Sequence, residues 1–467
     1  MTRSQMTTTD AKQMAILTKE EAKRITDKVL SFAKADETAV TLSGGRTGNI
    51  RYARNTVSTS GESNNMSLAV TSVYGKRSGT ATINEFDDAS LEKTVRRAEE
   101  IALLAPENPE YMPMLGPQTY LDTKSYAEST AKIDPTYRAQ VAIDSIEPCA
   151  KKNLTAAGYL EDTTGFTAIA NSKGLFGYNR ATSADFSVTV RTADGLGSGY
   201  VIRDYNDVSQ FSAKQATEIA MQKAAASVNA RALEPGKYTV ILEPTAASDL
   251  LNGLFFALDA RNADEGRSFL SKKGGGTRLG EKLFDERVTI YTDPQNLDVP
   301  GSPFSAGGGG GGGGGRFGGG GPDGRPQVKT TWVEKGVVKN MSYSRYWAEK
   351  KGVTATPPPS NIIMAGGSAS LADLIKSTEK GILVTRFWYI RSVDPQTLLY
   401  TGLTRDGTFY IENGQLKFPV KNFRFNESPV IMLNNVEALG KPVRANGNLI
   451  PPMKIRDFTF SSLSDAV

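Results

Sequence analysis

The stretch Lys237–Phe269, KYTVILEPTAASDLLNGLFFALDARNADEGRSF, decides how the rest of the chain is read. Val240, Ile241 and Leu242 form a short apolar run with the character of a buried strand. Glu243-Pro244 ends it, because proline has no N–H for a ladder and restricts the residue before it. Leu250, Leu251, Leu254, Phe255 and Leu258 then recur at helical spacing, which predicts a buried helix. A strand that hands directly to a buried helix is a natural place for an active site. This helix offers little chemistry: it carries no histidine, no cysteine, and Asp259 reads as its one mid-helix carboxylate.

Leu233-Glu234-Pro235-Gly236, just before the stretch, marks a boundary. Beyond the helix the chain reads mostly as strand and loop. Thr408–Ile411 and Gln415–Val420 flank an Asn413-Gly414 turn, a strong hairpin signal. Val328–Val338 reads as a second hairpin, Ile382–Ile390 as one aromatic strand, and Val430–Leu433 and Met453–Phe460 as closing strands. Ser368 or Ser370 caps a helix that runs to Lys380, with Gly381 after it. The glycine tract within 306–322 has nothing to bury and is read as a flexible loop.

Upstream, Thr18 and Glu21 form a capping box for a helix over Thr18–Lys34. A strand over Thr38–Leu42 follows, closed by Ser43-Gly44-Gly45, then two alternating segments bent at Gly75 and Gly79. Asp88 caps the next helix, and Pro106 ends it. The aperiodic 106–133 segment reads as a linker. Asp134-Pro135 opens a helix that Pro148 breaks or kinks. Four strands follow (Ala156–Glu161, Phe166–Asn171, Gly174–Arg180, Ala184–Arg191), and then a helix over Ser212–Ala230. The expected fold is α+β: an N-terminal α/β region of antiparallel sheets with helices, followed by a β-rich C-terminal domain. The expected partition is a first α+β part over 1–106, a linker and central α+β part over 107–234, and the β-rich domain over 235–467.

Composition narrows the chemistry. Of 467 residues, 39% are hydrophobic and 22% charged, which fits a soluble globular protein of two or three domains. A net charge of +5 over this length is no nucleic-acid footprint. One cysteine, Cys149, excludes intrachain disulfides. With neither a leader pattern nor an apolar run of about 18 residues, the expectation is a cytoplasmic protein that does not enter a membrane. The chain has no histidine, which removes histidine-ligated zinc sites, Ser-His-Asp triads and Cys-His dyads from its own repertoire.

The remaining candidates each have a plain structural reading. Gly44, Gly45 and Gly48 fit no phosphate-loop spacing and read as a turn between strands. Gly366-Gly367-Ser368 reads as helix capping rather than an anion site. Cys149 lies near Lys151 and Lys152 but has no base beside it in sequence. Arg386, Phe387, Trp388, Tyr389 and Arg391 alternate as core and surface on a strand. Asp259, Asp264 and Glu265 do not make a convincing acid–base pair by spacing, nor Ser271 and Lys272 a dyad.

At Lys237–Phe269 the chain resembles the TldD/PmbA family, also called the TldD/TldE metallopeptidases or the modulator of DNA gyrase family. ANSKGLFGYNR (Ala170–Arg180), GSASLADLIKSTEKGILVTRFWYIRSVDPQT (Gly367–Thr397) and IENGQLKFPVKNFRF (Ile411–Phe425) extend the resemblance over nearly the whole chain. Catalytic members of the family are similar to zinc peptidases, with His-Glu-x-x-x-His on this helix and a cysteine ligand nearer the C-terminus. Laid on this sequence from Leu242–Pro244, the three motif positions fall on Asn252, Gly253 and Ala257, and no cysteine follows Cys149. These residues supply neither zinc ligands nor a base to activate water.

The resemblance therefore implies the PmbA/TldE-like branch: no catalytic or metal-ligating residue and no cofactor in this chain, with zinc carried by a TldD-like partner subunit in a complex that takes unfolded peptides. Whether the chain is an enzyme alone is left open. The alternatives are a stand-alone or homodimeric peptide-binding protein without peptidase activity, and a zinc-independent hydrolase. Neither nucleic acid nor a membrane is an expected partner.

Overall fold

The computed structural model describes residues 16–305 and 323–464. The glycine tract within 306–322, read above as a flexible loop, lies outside them. The capping box forms at α1 (Lys19–Phe32), with Thr18 N–H donating to Glu21 at 2.8 Å and Glu21 N–H to Thr18 at 3.2 Å. Strands β1 (Glu37–Ala53), β2 (Thr56–Tyr74) and β3 (Arg77–Ile83) make a meander, and α2 (Asp88–Leu104) follows, capped by Asp87 rather than Asp88. A short α3 (Glu128–Ala131) interrupts the linker segment. Then α4 (Pro135–Lys151), β4 (Leu154–Asn171), β5 (Phe176–Thr192), β6 (Ser198–Tyr205) and α5 (Ala213–Ala226) repeat the helix–three strands–helix order.

The two repeats share one antiparallel sheet of order β3-β2-β1-β4-β5-β6, joined where β1 pairs β4 from Ala39↔Asn171 to Tyr52↔Gly158. Val40, Leu42, Ile50 and Tyr52 have the same parity along β1, so they face one side. The first two pack with α1 and α2, the last two with α4 and α5. One sheet face is thus covered by helices, and the other, with Thr41, Ser43, Thr163 and Thr167, is half-buried and polar.

Several sequence expectations fail here for identifiable reasons. Gly44, Gly45 and Gly48 do not turn the chain; they lie inside β1. A Cβ at Gly48 would sit 1.7 Å from the Arg138 guanidinium, and one at Gly45 would sit 2.5 Å from the Thr164 carbonyl oxygen. The glycines are there for close approach, which in sequence looks like a turn. Arg138 is fully buried on α4 and lies across β1. Its Nε and Nη2 donate to Asp162 at 2.6 and 2.9 Å, and Nη1 and Nη2 both donate to Glu62 at 3.1 Å. The four shorter strands expected over 156–191 are two long ones, β4 and β5, because polar Thr163 and Thr164 belong to a strand with one open face. Pro148 does not end α4, since it falls in the last turn where a missing N–H costs one bond. Gly79 lies within β3 against the backbone of α2, and only Gly75 turns the chain, at φ 58°.

The C-terminal region opens with β7 (Gly236–Leu242), α6 (Pro244–Phe256) and a short α7 (Ala260–Asp264). It continues through β8 (Ile290–Thr292), β9 (Thr330–Glu334), β10 (Val337–Val338), α8 (Arg345–Lys351), β11 (Ile363–Met364) and α9 (Leu371–Lys376). Next come β12 (Lys380–Val384), β13 (Phe387–Asp394), β14 (Leu399–Thr404), β15 (Thr408–Glu412), β16 (Gln415–Pro419) and β17 (Phe423–Glu427). The chain closes with α10 (Pro429–Asn434), β18 (Val436–Leu439), β19 (Val443–Ala445), β20 (Asn448–Ile450) and β21 (Met453–Leu463). The Asn413-Gly414 hairpin forms, with both residues at positive φ (52° and 72°).

The larger sheet has the order β13-β14-β17-β21-β7-β12-β15-β16, with β18 paired to β21. The smaller has the order β10-β9-β8-β11-β20-β19. Helix α6 touches both, meeting β7 and β13 on one side and β19 and β20 on the other. Its Leu250, Leu251, Leu254 and Phe255 join Phe387, Phe423, Phe425, Phe458 and Phe460 in one core.

Ile382–Ile390 is not one strand. The chain leaves β12 at Val384 and enters β13 at Phe387, on the far side of the sheet order. Five strand spacings are roughly 24 Å, whereas the link from Val384 to Phe387 reaches roughly 11 Å, so the sheet must curl on itself. Val430–Leu433 is helical because Ser428 caps it and Pro429 occupies its first turn; its apolar run alone does not separate strand from helix. α9 stops at Lys376, four residues earlier than expected, and Gly381 lies in β12 beside the Thr239 carbonyl.

Candidate functional site

Helix α6 begins at Pro244, and Glu243 before it makes no side-chain cap. Its carboxylate instead pairs with Lys223 of α5 at 2.7 Å, tying the helix start to the N-terminal region. The apolar stripe of α6 faces the core. Thr245, Asp249 and Asn252, spaced four and three residues apart, share the opposite face and line a cavity of about 270 Å³. Tyr200 and Ile202 of β6, Arg386–Ile390, and Asn446 complete its wall.

Two backbone features shape the wall. Asn446 and Gly447, both at positive φ, turn the chain from β19 to β20. Arg444 donates to Asp204 at 2.6 Å, and Gly447 N–H reaches the same carboxylate at 2.9 Å, which fastens the turn to β6. Asn446 is thereby aimed at Asp249, to which it donates at 3.1 Å. On the other wall, β13 is bulged between Trp388 and Arg391, and Tyr389 sits at φ 56°. The bulge breaks strand alternation, so Trp388 and Tyr389 are both exposed, contrary to the core-and-surface reading. Arg405 lies over Trp388 and Arg391 over Tyr389, at 4.1 and 4.2 Å from the ring centroids. A bulky residue held in the left-handed region beside a cavity is the kind of strain that collects at functional sites.

The electrostatics are uneven. Arg386 stacks on Tyr200 at 3.6 Å and donates to Asp406 at 2.6 Å. Asp406 also accepts from Ser198 at 2.6 Å. Asp249 is half-buried, and removal from water pushes its carboxyl up to about 7. Arg386, Asn446 and the Phe387 N–H oppose this without cancelling it.

The three motif positions are now placed. Asn252 is exposed into the cavity. A Cβ on Gly253 would meet the Tyr400 hydroxyl at 2.0 Å, so the space for a longer side chain is filled by that ring. Ala257 lies past the helix as its C-cap, bonding back to Gly253 at 3.2 Å and Leu254 at 3.1 Å. This donor set does not fit zinc, and no step through the metal follows for this chain.

The other candidates are occupied structurally. Asp259 is not in mid-helix; it caps α7 through the Asn262 N–H at 2.8 Å. Asp264 accepts from Trp347 at 2.7 Å and pairs with Lys351 at 2.8 Å, while Glu265 pairs with Arg261 and Arg267. Ser271 donates to the Ala263 carbonyl at 2.7 Å, and Lys272 pairs with Glu281 at 3.0 Å, so the two form no dyad. Cys149 is buried, and burial pushes its thiol up to about 11. Gly366 gives close passage beside the Gly440 carbonyl, and Ser370 caps α9.

Asp249 is the residue that sequence reasoning missed. Its signal was present: it completes a polar stripe with Thr245 and Asn252 on an otherwise apolar helix. Tyr200, Asp406 and Arg444 gave no such signal, because tertiary contact alone brings them to α6.

Three family models match in order along the chain: PmbA/TldA metallopeptidase domain 1 over residues 39–102, the central domain over 120–228, and the C-terminal domain over 235–462. The chain belongs to the TldD/PmbA metallopeptidase family. An uncharacterized protein of Methanocaldococcus jannaschii is 25% identical over 380 residues, covering 78% of this chain and 83% of that protein. Metalloprotease PmbA of Escherichia coli O157:H7 is 22% identical over 413 residues, covering 83% and 85% respectively. Among solved structures, TldE from Thermococcus kodakarensis superposes with a TM-score of 0.81 at 17% identity, covering 94% of this chain and 99% of that one. At that identity the likeness is one of fold. The expected α+β architecture with a β-rich C-terminal region is the TldE-like fold. Among the described residues, no helix is long and apolar enough to cross a membrane.

Proposed function

We propose that this TldD/PmbA family member is a non-catalytic, TldE-like subunit of a zinc metallopeptidase complex that degrades unfolded peptides, with the metal carried by a TldD-like partner. The observation that carries this reading is the state of α6. Asn252, Gly253 and Ala257 stand at the motif positions, and Tyr400 fills the space beside Gly253. The helix keeps its place between the two sheets while its surface toward the cavity offers no histidine or cysteine and a single carboxylate, Asp249. A family fold retained without the ligands fits a chain that contributes shape and binding surface to an assembly. The expected setting is the cytoplasm.

The test is to purify the chain alone and together with a TldD-like subunit, then measure zinc by elemental analysis and hydrolysis of an unfolded peptide. The expected outcome is a stable complex in which zinc and hydrolysis follow the partner. Stoichiometric zinc together with hydrolysis by the isolated chain would overturn the proposal, and so would failure of the two chains to associate.

A further inference from the structure

We propose that the cavity beside α6 binds a primary alkylammonium group, presented by the free N-terminus of a peptide or by a lysine side chain, with Asp249 as its counter-ion. Charge is unevenly distributed in the cavity. Arg386 and Asp249 both line it, yet Arg386 gives its ion pair to Asp406 at 2.6 Å and lays its flat face on Tyr200. Asp406 is in turn satisfied by Ser198 as well. The arginine is therefore already neutralised. The hydrogen bonds of Asp249 come instead from the neutral N–H groups of Asn446 and Phe387, and the nearby charge of Arg386 offsets its desolvation only in part. A carboxylate that faces a cavity with neutral partners calls for a cation from outside.

The shape of the acceptor set selects the kind of cation. Thr245, Asp249 and Asn252 stand on one face of one helix and present a hydroxyl, a carboxylate and a carboxamide oxygen. An ammonium carries three N–H donors and no acceptor, so a cavity wall that offers three oxygen-bearing side chains from one helix face matches it. Tyr200 and the exposed Trp388 and Tyr389 add aromatic walls, which favour a cation with an apolar chain behind it. Arg391 and Arg405 lie over the rings of Tyr389 and Trp388 and are not part of the cavity lining. An anion would have to approach Asp249 and compete with Asp406 for Arg386.

The inference deepens the peptide-handling reading but rests on this chain alone. Its test needs no partner subunit, so its failure and the failure of the subunit proposal are separate results. The full chain has three tryptophans; Trp332 and Trp347 are buried, and Trp388 is 38% exposed at the cavity rim, so tryptophan fluorescence reports there. The probes at about pH 8 are trialanine amide with a free N-terminus, its N-acetyl form, N-acetyl-lysine methylamide, and N-acetyl-trialanine with a free carboxylate, each also followed by calorimetry. The expected result is saturable binding of the trialanine amide, the capped lysine or both. Acetylating the peptide amine should weaken binding roughly tenfold or more, and Asp249→Asn should do the same to whichever amine binds. The arm that binds identifies the source of the ammonium. Where Asp249→Asn does not fold, Asn252→Ala decides, with a smaller loss expected. The proposal is overturned if neither amine binds, if the acetylated peptide binds as well as the free one, if the carboxylate probe is the tighter ligand, or if the deciding variant leaves affinity unchanged.

Discussion

Two arginine–carboxylate clusters in this molecule use the same groups to opposite ends. In the N-terminal sheet, Arg138 is fully buried, and both carboxylates around it are engaged by its own guanidinium: Asp162 by two bonds at 2.6 and 2.9 Å, Glu62 by two at 3.1 Å. At α6, Arg386 and Asp249 share a cavity, but the arginine turns to Asp406 and leaves the aspartate to neutral donors. The first network closes on itself and fixes how α4 crosses the sheet. The second stays open toward solvent. A closed network specifies structure; an open one presents charge to something else.

The largest expected effect comes from opening the closed cluster. Arg138→Met removes the two short bonds to buried Asp162 and leaves it only the longer pair with Arg46 at 3.7 Å, which should cost about 3–5 kcal/mol, read by urea denaturation of the full chain. A loss below about 1 kcal/mol would show that Gly48 and the guanidinium that fills its space are not a structural unit. A smaller effect tests the cavity side. Gly253→Glu places a side chain where Tyr400 stands and should cost about 1–3 kcal/mol through overpacking. Tyr400→Ala in the same chain should recover part of that loss, which a double-mutant cycle measures as coupling; additive losses would mean that the two residues do not share space.

The smallest effect depends on pH. The carboxyl of Asp249, ordinarily near 3.8, is pushed up to about 7 by burial in the folded protein. Between roughly pH 4 and 7 the unfolded chain sheds this proton while the folded chain keeps it, so Asp249 lowers stability as pH rises through that window. Asp249→Asn imitates the protonated form. It should match the wild type near pH 4 and exceed it at pH 8 by on the order of 1–2 kcal/mol, since solvent at this half-buried site reduces the full linkage value. Thermal melts at the two pH values check this, and an equal gap at both would separate Asp249 from the pH response. Asp185, pushed up to about 6 by burial and by Asp204 opposite it, titrates in both proteins and cancels in the comparison.

Local rules placed what local sequence dictates. The capping box at Thr18, the Asp134-Pro135 helix start, the Asn413-Gly414 hairpin and the strand-to-helix step at Leu242–Pro244 stand in the structure where the residues put them. The readings that failed involved long-range partners. Gly48 of β1 makes room for Arg138 from a helix 90 residues further along, and Gly45 for the Thr164 carbonyl of β4. The break after Val384 appears once β12 and β13 are seen in different parts of a curled sheet. Val430–Leu433 had its cap in Ser428-Pro429, but a four-residue apolar run outweighed it.

The site divides the same way. From the sequence alone came the absence of histidine, the identity of Asn252, Gly253 and Ala257, and with the resemblance the loss of zinc donors, because ligand chemistry depends on which side chains exist. The tertiary structure decided which of the remaining polar groups meet. Tyr200, Arg386, Asp406 and Asn446 come from four separate segments, and packing between β6, α6 and the 444–447 turn gathers them around Asp249. Charge in a cavity is a matter of distance and burial, and neither is written in residue order.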